Sequence, residues 1–197
     1  MDIKKAIKKQ KSSFKLFIFI MSFISLMIPF LVLLTGKTNV FYIVYLILIE
    51  LLIVAAVIAM SNNECLRFKC ANNKLRIQVG ILKFTNILLC DKVALIHTEN
   101  TKENMEIIIV TDVRIRNKQI RPINKNFKKK YPIAYHEFEK IKKFNCDKNY
   151  FFIVIKKGGY LKYNLLDVIY RNCVKAIYTD ESIKNIKIAR GQLKIEK

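Results

Sequence analysis

The chain has 197 residues, 52% of them hydrophobic, and carries 36 Lys and Arg against 15 Asp and Glu for a net charge of +21. Its five glycines, at 36, 80, 158, 159 and 191, supply neither a P-loop nor a dinucleotide-binding fingerprint. The charge calls for anionic partners, a lipid surface or nucleic acid.

Residues 1–15 place Ile3, Ile7 and Phe14 near one side of a helix, with Ala6 beside them and lysines around the rest. Such a segment is expected to lie in the membrane interface before turning into the bilayer, with Lys4, Lys5, Lys8 and Lys9 on anionic phospholipid, or to be a frayed basic tail. Residues 16–60 follow as two apolar runs, Leu16–Leu34 and Val40–Met60. As helices these are ~28 and ~31 Å long, which matches a hydrocarbon core of ~30 Å and predicts a transmembrane hairpin. Six lysines precede the first run and only Lys37 lies between the two, whereas 29 Lys and Arg against 13 Asp and Glu follow Met60. Lys and Arg stay on the cytoplasmic side, so both termini are expected inside and residues 35–39 outside. A cleaved signal peptide is the rival for the first run, but that run exceeds the ~7–15 residues of a signal core.

Pro29 is placed to kink the first helix. Glu50 falls at the midpoint of the second run, where a charged carboxylate costs roughly 2.5–3.5 kcal/mol. It is expected to be neutral or turned toward a polar partner. In an antiparallel hairpin Ser25 lies alongside, with Ser22 one turn away, so a hydrogen bond to one of these hydroxyls is the first reading. Contact with another membrane subunit or a second copy of the chain is the functional one.

Residues 61–197 read as one cytoplasmic α+β domain. Leu66–Cys70, a turn at 71–73 and Leu75–Val79 predict a hairpin, with Gly80 breaking the return strand. Ile81–Thr85, Ile87–Cys90, Val93–Thr98 and Met105–Thr111 continue the series as an antiparallel sheet or small barrel. The basic insertion 113–133 contains Arg114, Arg116, Lys118, Arg121, Lys125, Lys128, Lys129 and Lys130 with no acid, and Pro122 and Pro132 favour a loop or edge strand. Ala134, Phe138, Ile141 and Phe144 predict a short helix. Tyr150–Ile155 and Tyr160–Tyr163 around Lys156-Lys157-Gly158-Gly159 predict a second hairpin. Leu165, Ile169, Cys173 and Ala176 form a helical stripe over 164–177 that Asn164 is placed to cap, and a second capped turn begins at Thr179.

The five cysteines, at 65, 70, 90, 146 and 173, lack paired spacing and are expected to be free thiols in a reducing compartment, with no metal bound. His97 and His136 are isolated, and no paired carboxylates or nucleophile signature accompany them. No catalytic residue and no cofactor are expected.

Asn72-Asn73-Lys74-Leu75-Arg76-Ile77-Gln78-Val79-Gly80-Ile81-Leu82, continued by Ile87-Leu88-Leu89-Cys90-Asp91-Lys92-Val93-Ala94-Leu95-Ile96, resembles the bacterial pleckstrin-homology-like domains that follow one or two membrane helices. The resemblance implies a β-barrel capped by a C-terminal helix, here 164–177, and a role in binding and assembly. The insertion 113–133 and the helix 134–144 depart from the compact pattern of that family. Lys69, Lys74 and Arg76 are similar to the basic motif by which some eukaryotic members hold inositol phosphates.

The resulting expectation is a non-catalytic membrane-anchored binding or assembly protein. Its basic surface engages anionic inner-leaflet lipid, and its sheet or helix engages a membrane protein partner or a second copy. The alternative is a membrane-tethered nucleic-acid binder. That usually requires aromatics among the basic residues, and 113–133 holds only Phe127 and Tyr131.

Overall fold

The basic N-terminus and the first apolar run form one 32-residue helix, α1 (Ile3–Leu34), in the computed structural model, which describes residues 2–36, 39–81, 84–100, 105–113, 120–144 and 148–195. Asp2 caps it, its carboxylate accepting from the Lys4 amide at 3.1 Å. Pro29 is accommodated inside the helix. The second helix, α2 (Val40–Glu64), runs one turn beyond Met60. Both are long and apolar enough to cross a membrane, and their outward side chains, among them Phe19, Leu26, Leu33, Leu51 and Leu52, are exposed.

Residues 3–15 are not a frayed tail: they are helical and continuous with the first apolar run. Ile3 and Ala6 are buried in the core of the C-terminal domain, with Ile7 packed against it. The stripe i, i+3, i+4 that suggested an interfacial helix is satisfied by protein instead. The domain therefore includes the first turns of α1 and is not confined to 61–197.

From α2 the chain enters β1 (Leu66–Ala71), which pairs antiparallel with β2 (Lys74–Val79). Ala71 faces Lys74, leaving a two-residue turn in which Asn72 (φ 49°) and Asn73 (φ 60°) are both left-handed. This is the primed turn that matches strand twist, and Asn tolerates it better than other non-glycine residues. The two short strands expected over 81–90 are a single strand, β3 (Phe84–Leu89), paired with β2. Asn86, between the two expected strands, is buried opposite Ile77 within the ladder.

A 3-10 turn at Cys90–Lys92 leads to β4 (Val93–Asn100) and β5 (Met105–Thr111), the centre of a second, five-stranded sheet. Its other members are β6 (Arg121–Pro122), β7 (Phe151–Ile155) and β8 (Ile177–Tyr178), in the order β6-β7-β5-β4-β8, with β8 parallel to β4. Ile107 to Val110 are all fully buried because both faces of this sheet are covered. Ile107 and Ile109 join the main core, Ile108 packs with Phe127, Tyr131 and Ala134, and Val110 packs with Leu95, Phe138 and Tyr150.

Four short helices complete the domain: α3 (Lys125–Lys130), α4 (Pro132–Phe144), α5 (Leu161–Asn172) and α6 (Asp180–Ala189). The described part of the basic insertion is thus an edge strand followed by a helix capped by Asn124, whose Oδ1 accepts from the Phe127 amide at 3.0 Å. The expected hairpin at Lys156–Gly159 is instead a turn into α5. Gly158 (φ 106°) and Gly159 (φ 49°) reverse the chain, and Leu161 donates to the Gly158 carbonyl to open the helix. The α5 helix therefore spans Leu161–Asn172, with Asn164 inside it. Thr179 caps α6, its Oγ1 accepting from the Ser182 amide. The two sheets do not close into a barrel among the described residues.

Candidate functional site

The two apolar helices meet at Ser25 and Glu50, where the serine hydroxyl donates to Glu50 Oε2 at 2.6 Å. Glu50 Oε1 is buried with no hydrogen-bond partner. Ser22 does not take part and is exposed on the outer face of α1.

Below the apolar runs, α1, α2 and the domain are stitched together. Gln10 Oε1 accepts from the Tyr160 amide at 2.7 Å, and its Nε2 donates to Glu64 Oε2. The Gly158 amide donates to the Asn63 carbonyl at 2.8 Å, and the Gly80 amide to the Cys65 carbonyl at 2.8 Å. A Cβ on Gly158 would lie 2.6 Å from Leu66, and one on Gly159 would lie 2.3 Å from Gln10, so the two glycines let the turn approach β1 and α1 closely. The result is a recess of about 480 Å³ lined by Gln10, Asn63, Glu64, Lys156, Lys157 and Tyr160. Asn63 lies three residues beyond Met60, so this recess sits within a helical turn of the end of the apolar run.

The same end of the five-stranded sheet carries an ionic cluster. Glu99 and Glu106 face each other across β4 and β5. Lys156 Nζ reaches Glu106 Oε1 at 2.9 Å, and the Tyr131 hydroxyl donates to Glu106 Oε2 at 2.8 Å. Burial opposes ionisation of Glu106, but these two donors outweigh it and hold its carboxyl below the usual range. Glu99 is shifted up by burial and by the charge on Glu106. Lys130 lies beside Lys156 and is shifted down by it. Lys162, fully buried on α5, donates to the Lys156 carbonyl at 2.7 Å, and burial pushes its ammonium down to about 8. The spacing of 156–163 gave no sign of this lysine, because the segment read as a strand.

The basic residues singled out in the sequence separate into groups. Lys8 and Lys9 lie on α1 close to Gln10. Lys4 and Lys5 lie twelve and eleven residues before Leu16, about 18 and 17 Å along the helix. Lys125, Lys128, Lys129 and Lys130 are exposed on α3, and Arg121 is exposed on β6. Arg114, Arg116 and Lys118 fall outside the described residues. Lys69 and Arg76 face each other across β1 and β2, with Lys74 beside the turn.

Cys70 and Cys90 lie with their sulfurs 3.9 Å apart, and Cys173 is next to Cys90. Burial pushes both the Cys70 and the Cys173 thiols up. No group of His, Cys, Asp or Glu suited to a metal occurs among the described residues. His97 is buried with Nδ1 2.9 Å from Thr179 Oγ1, and burial holds its pKa down. It joins β4 to the cap of α6. No family model, curated protein or solved structure matches this chain.

Proposed function

We propose that this chain is a non-catalytic, membrane-anchored binding or assembly protein, with both termini cytoplasmic and its basic domain held against the anionic inner leaflet. The observation that carries the reading is the pinning of the Lys156–Tyr160 turn to Asn63 and Gln10, within a helical turn of the apolar runs. That connection keeps Lys8, Lys9, Lys11, Lys15, Lys156 and Lys157 at headgroup depth, where a basic residue contributes up to about 1 kcal/mol of attraction to anionic lipid. The lysine asymmetry around the two apolar helices supports the same orientation. A relationship to pleckstrin-homology-like domains belongs to this proposal and rests on the β1–β3 meander and the packing of α5 across it. A protein partner, or a second copy, is the further element of the reading, and the exposed apolar side chains of Val174 and of Ile177 on edge strand β8 support it.

The test uses the full chain in nanodiscs, because Ile3 and Ala6 belong to the domain core. A lipid that binds the folded state raises its thermal midpoint. Anionic nanodiscs should therefore raise the midpoint of the domain above its value in neutral ones. Combined Lys8→Gln, Lys9→Gln and Lys157→Gln substitution should remove the increment, as should salt that shortens the Debye length below its roughly 8 Å at physiological strength. Equal midpoints in the two lipids would eliminate the lipid reading.

A further inference from the structure

We propose that the recess between β6, α3, α4 and the start of β7 binds a nucleotide unit, a phosphate joined to an aromatic ring, at the end of the domain away from the bilayer. The recess is a cavity of about 520 Å³, within the roughly 300–1,000 Å³ of small-molecule sites. Lys125, Lys128, Lys142 and Lys148 line it, and none of the described residues lining it is acidic. Asp112 approaches Lys148 from outside the lining at 3.5 Å. Glu139 accepts from the Tyr135 hydroxyl beside the lining, while Lys125, Lys128 and Lys142 make no ion pair among the described residues and leave the rim positive, which is the condition for holding a phosphate.

An apolar wall adjoins the cations. Tyr135, Tyr150 and Phe151 contribute to the lining. Lys128 Nζ stands 4.9 Å from the centroid of the Tyr135 ring, so a cation and an aromatic face are presented together. Phosphate on lysines with a base against aromatic carbon is the chemistry by which proteins hold single-stranded nucleic acid, and a free nucleotide offers the same two groups. The residues come from two stretches, 122–128 and 135–151, so the aromatic side of the recess lies outside 113–133.

Position separates this recess from the lipid-facing one. Phe151 pairs with Pro122 at the opposite end of β7 from Ile155, and the Lys156–Tyr160 turn follows Ile155 directly. Four residues of strand place the two ends about 13 Å apart. A leaflet that meets Lys157 leaves the Lys125–Lys142 rim facing the aqueous phase.

The experiment measures equilibrium binding to the full chain in phosphatidylcholine nanodiscs, with three probes: adenosine 5′-monophosphate, inorganic phosphate and a short single-stranded oligoadenylate. Adenosine monophosphate or the oligonucleotide should bind, and more tightly than inorganic phosphate. The pair Lys125→Gln and Lys142→Gln should weaken that binding at least about tenfold, since each lysine supplies a charge-assisted contact. The pair Lys187→Gln and Lys194→Gln, which removes the same charge at exposed positions elsewhere, should leave it unchanged. An oligonucleotide bound at least tenfold more tightly than the monophosphate identifies single-stranded nucleic acid as the source, and equal affinities identify a free nucleotide. No binding of either, equal affinity for inorganic phosphate, or equal losses in the two double variants would overturn the proposal.

Discussion

Glu50 and Lys162 are side chains whose burial runs against their chemistry. Glu50 is held by Ser25 at 2.6 Å while its second oxygen lacks a partner. Glu50→Gln retains an acceptor for the serine and should preserve insertion and any association of the hairpin. Glu50→Leu should insert as well or better, and should weaken association if the free oxygen meets a second helix pair. Förster transfer between labelled copies in nanodiscs reads the difference, and unchanged transfer in the leucine variant would reduce Glu50 to a tolerated residue. Lys162 has a lowered folded-state pKa, so between about 8 and its ordinary value near 10.4 the unfolded chain binds more protons than the folded one. Stability should therefore rise with pH across that window, by about 3 kcal/mol from this group. Lys162→Met should lack that part of the rise when unfolding is followed from pH 7.5 to 10.5, and identical slopes would contradict the assignment. His97 acts with the same sign in a more acidic window. Its lowered pKa means that the unfolded state takes up the extra proton below about 6.5, so acid should destabilise the wild type more than His97→Gln.

Among the elements, α1 has the most consequence, because one helix serves the hairpin at one end and the domain core at the other. Ile3→Ala should lower domain stability by about 2 kcal/mol, the low end for an isoleucine truncation, whereas a frayed tail would register nothing. Gly158→Ala introduces a Cβ 2.6 Å from Leu66 at a φ of 106°, and should cost more than the about 1–2 kcal/mol of a left-handed residue alone. Chemical unfolding in nanodiscs checks both. Elements marked by a local signal were legible in the sequence: the apolar helices by their length, the Asn72–Asn73 hairpin by its turn, the β4–β5 pair by its β-branched runs and the start of α6 by the cap at Thr179. The Lys-Lys-Gly-Gly segment was not, since two glycines signal a chain reversal without saying whether a strand or a helix follows. What decides it is the Asn63 carbonyl, more than ninety residues away in sequence. The stripe on residues 3–7 was visible, but an amphipathic basic helix fits a membrane interface and a protein groove equally well. The candidate sites were less legible still. The Glu106 cluster and the lysine recess assemble groups from β5, β7, α3 and α4, and no local pattern brings those together.

At the scale of the molecule, two apolar helices lead into an α/β domain through backbone hydrogen bonds and a shared core, with no flexible linker between them. A fragment spanning 61–197 lacks Ile3, Ala6 and Gln10, and should be less stable than the same domain in the full chain. Topology follows from the lysine distribution: a cysteine placed at Thr38 should be labelled from outside intact cells and the native cysteines should not. The central claim is that this mounting holds one particular face of the domain against the lipid. It is tested most directly by photolabelling the unmodified chain in nanodiscs that contain an anionic phospholipid with a photoactivatable headgroup, and mapping the adducts by mass spectrometry. The account predicts adducts in residues 8–15 and 156–160, with few in 122–128 and 148–151. Adducts concentrated in those last two segments, with none at 156–160, would contradict it.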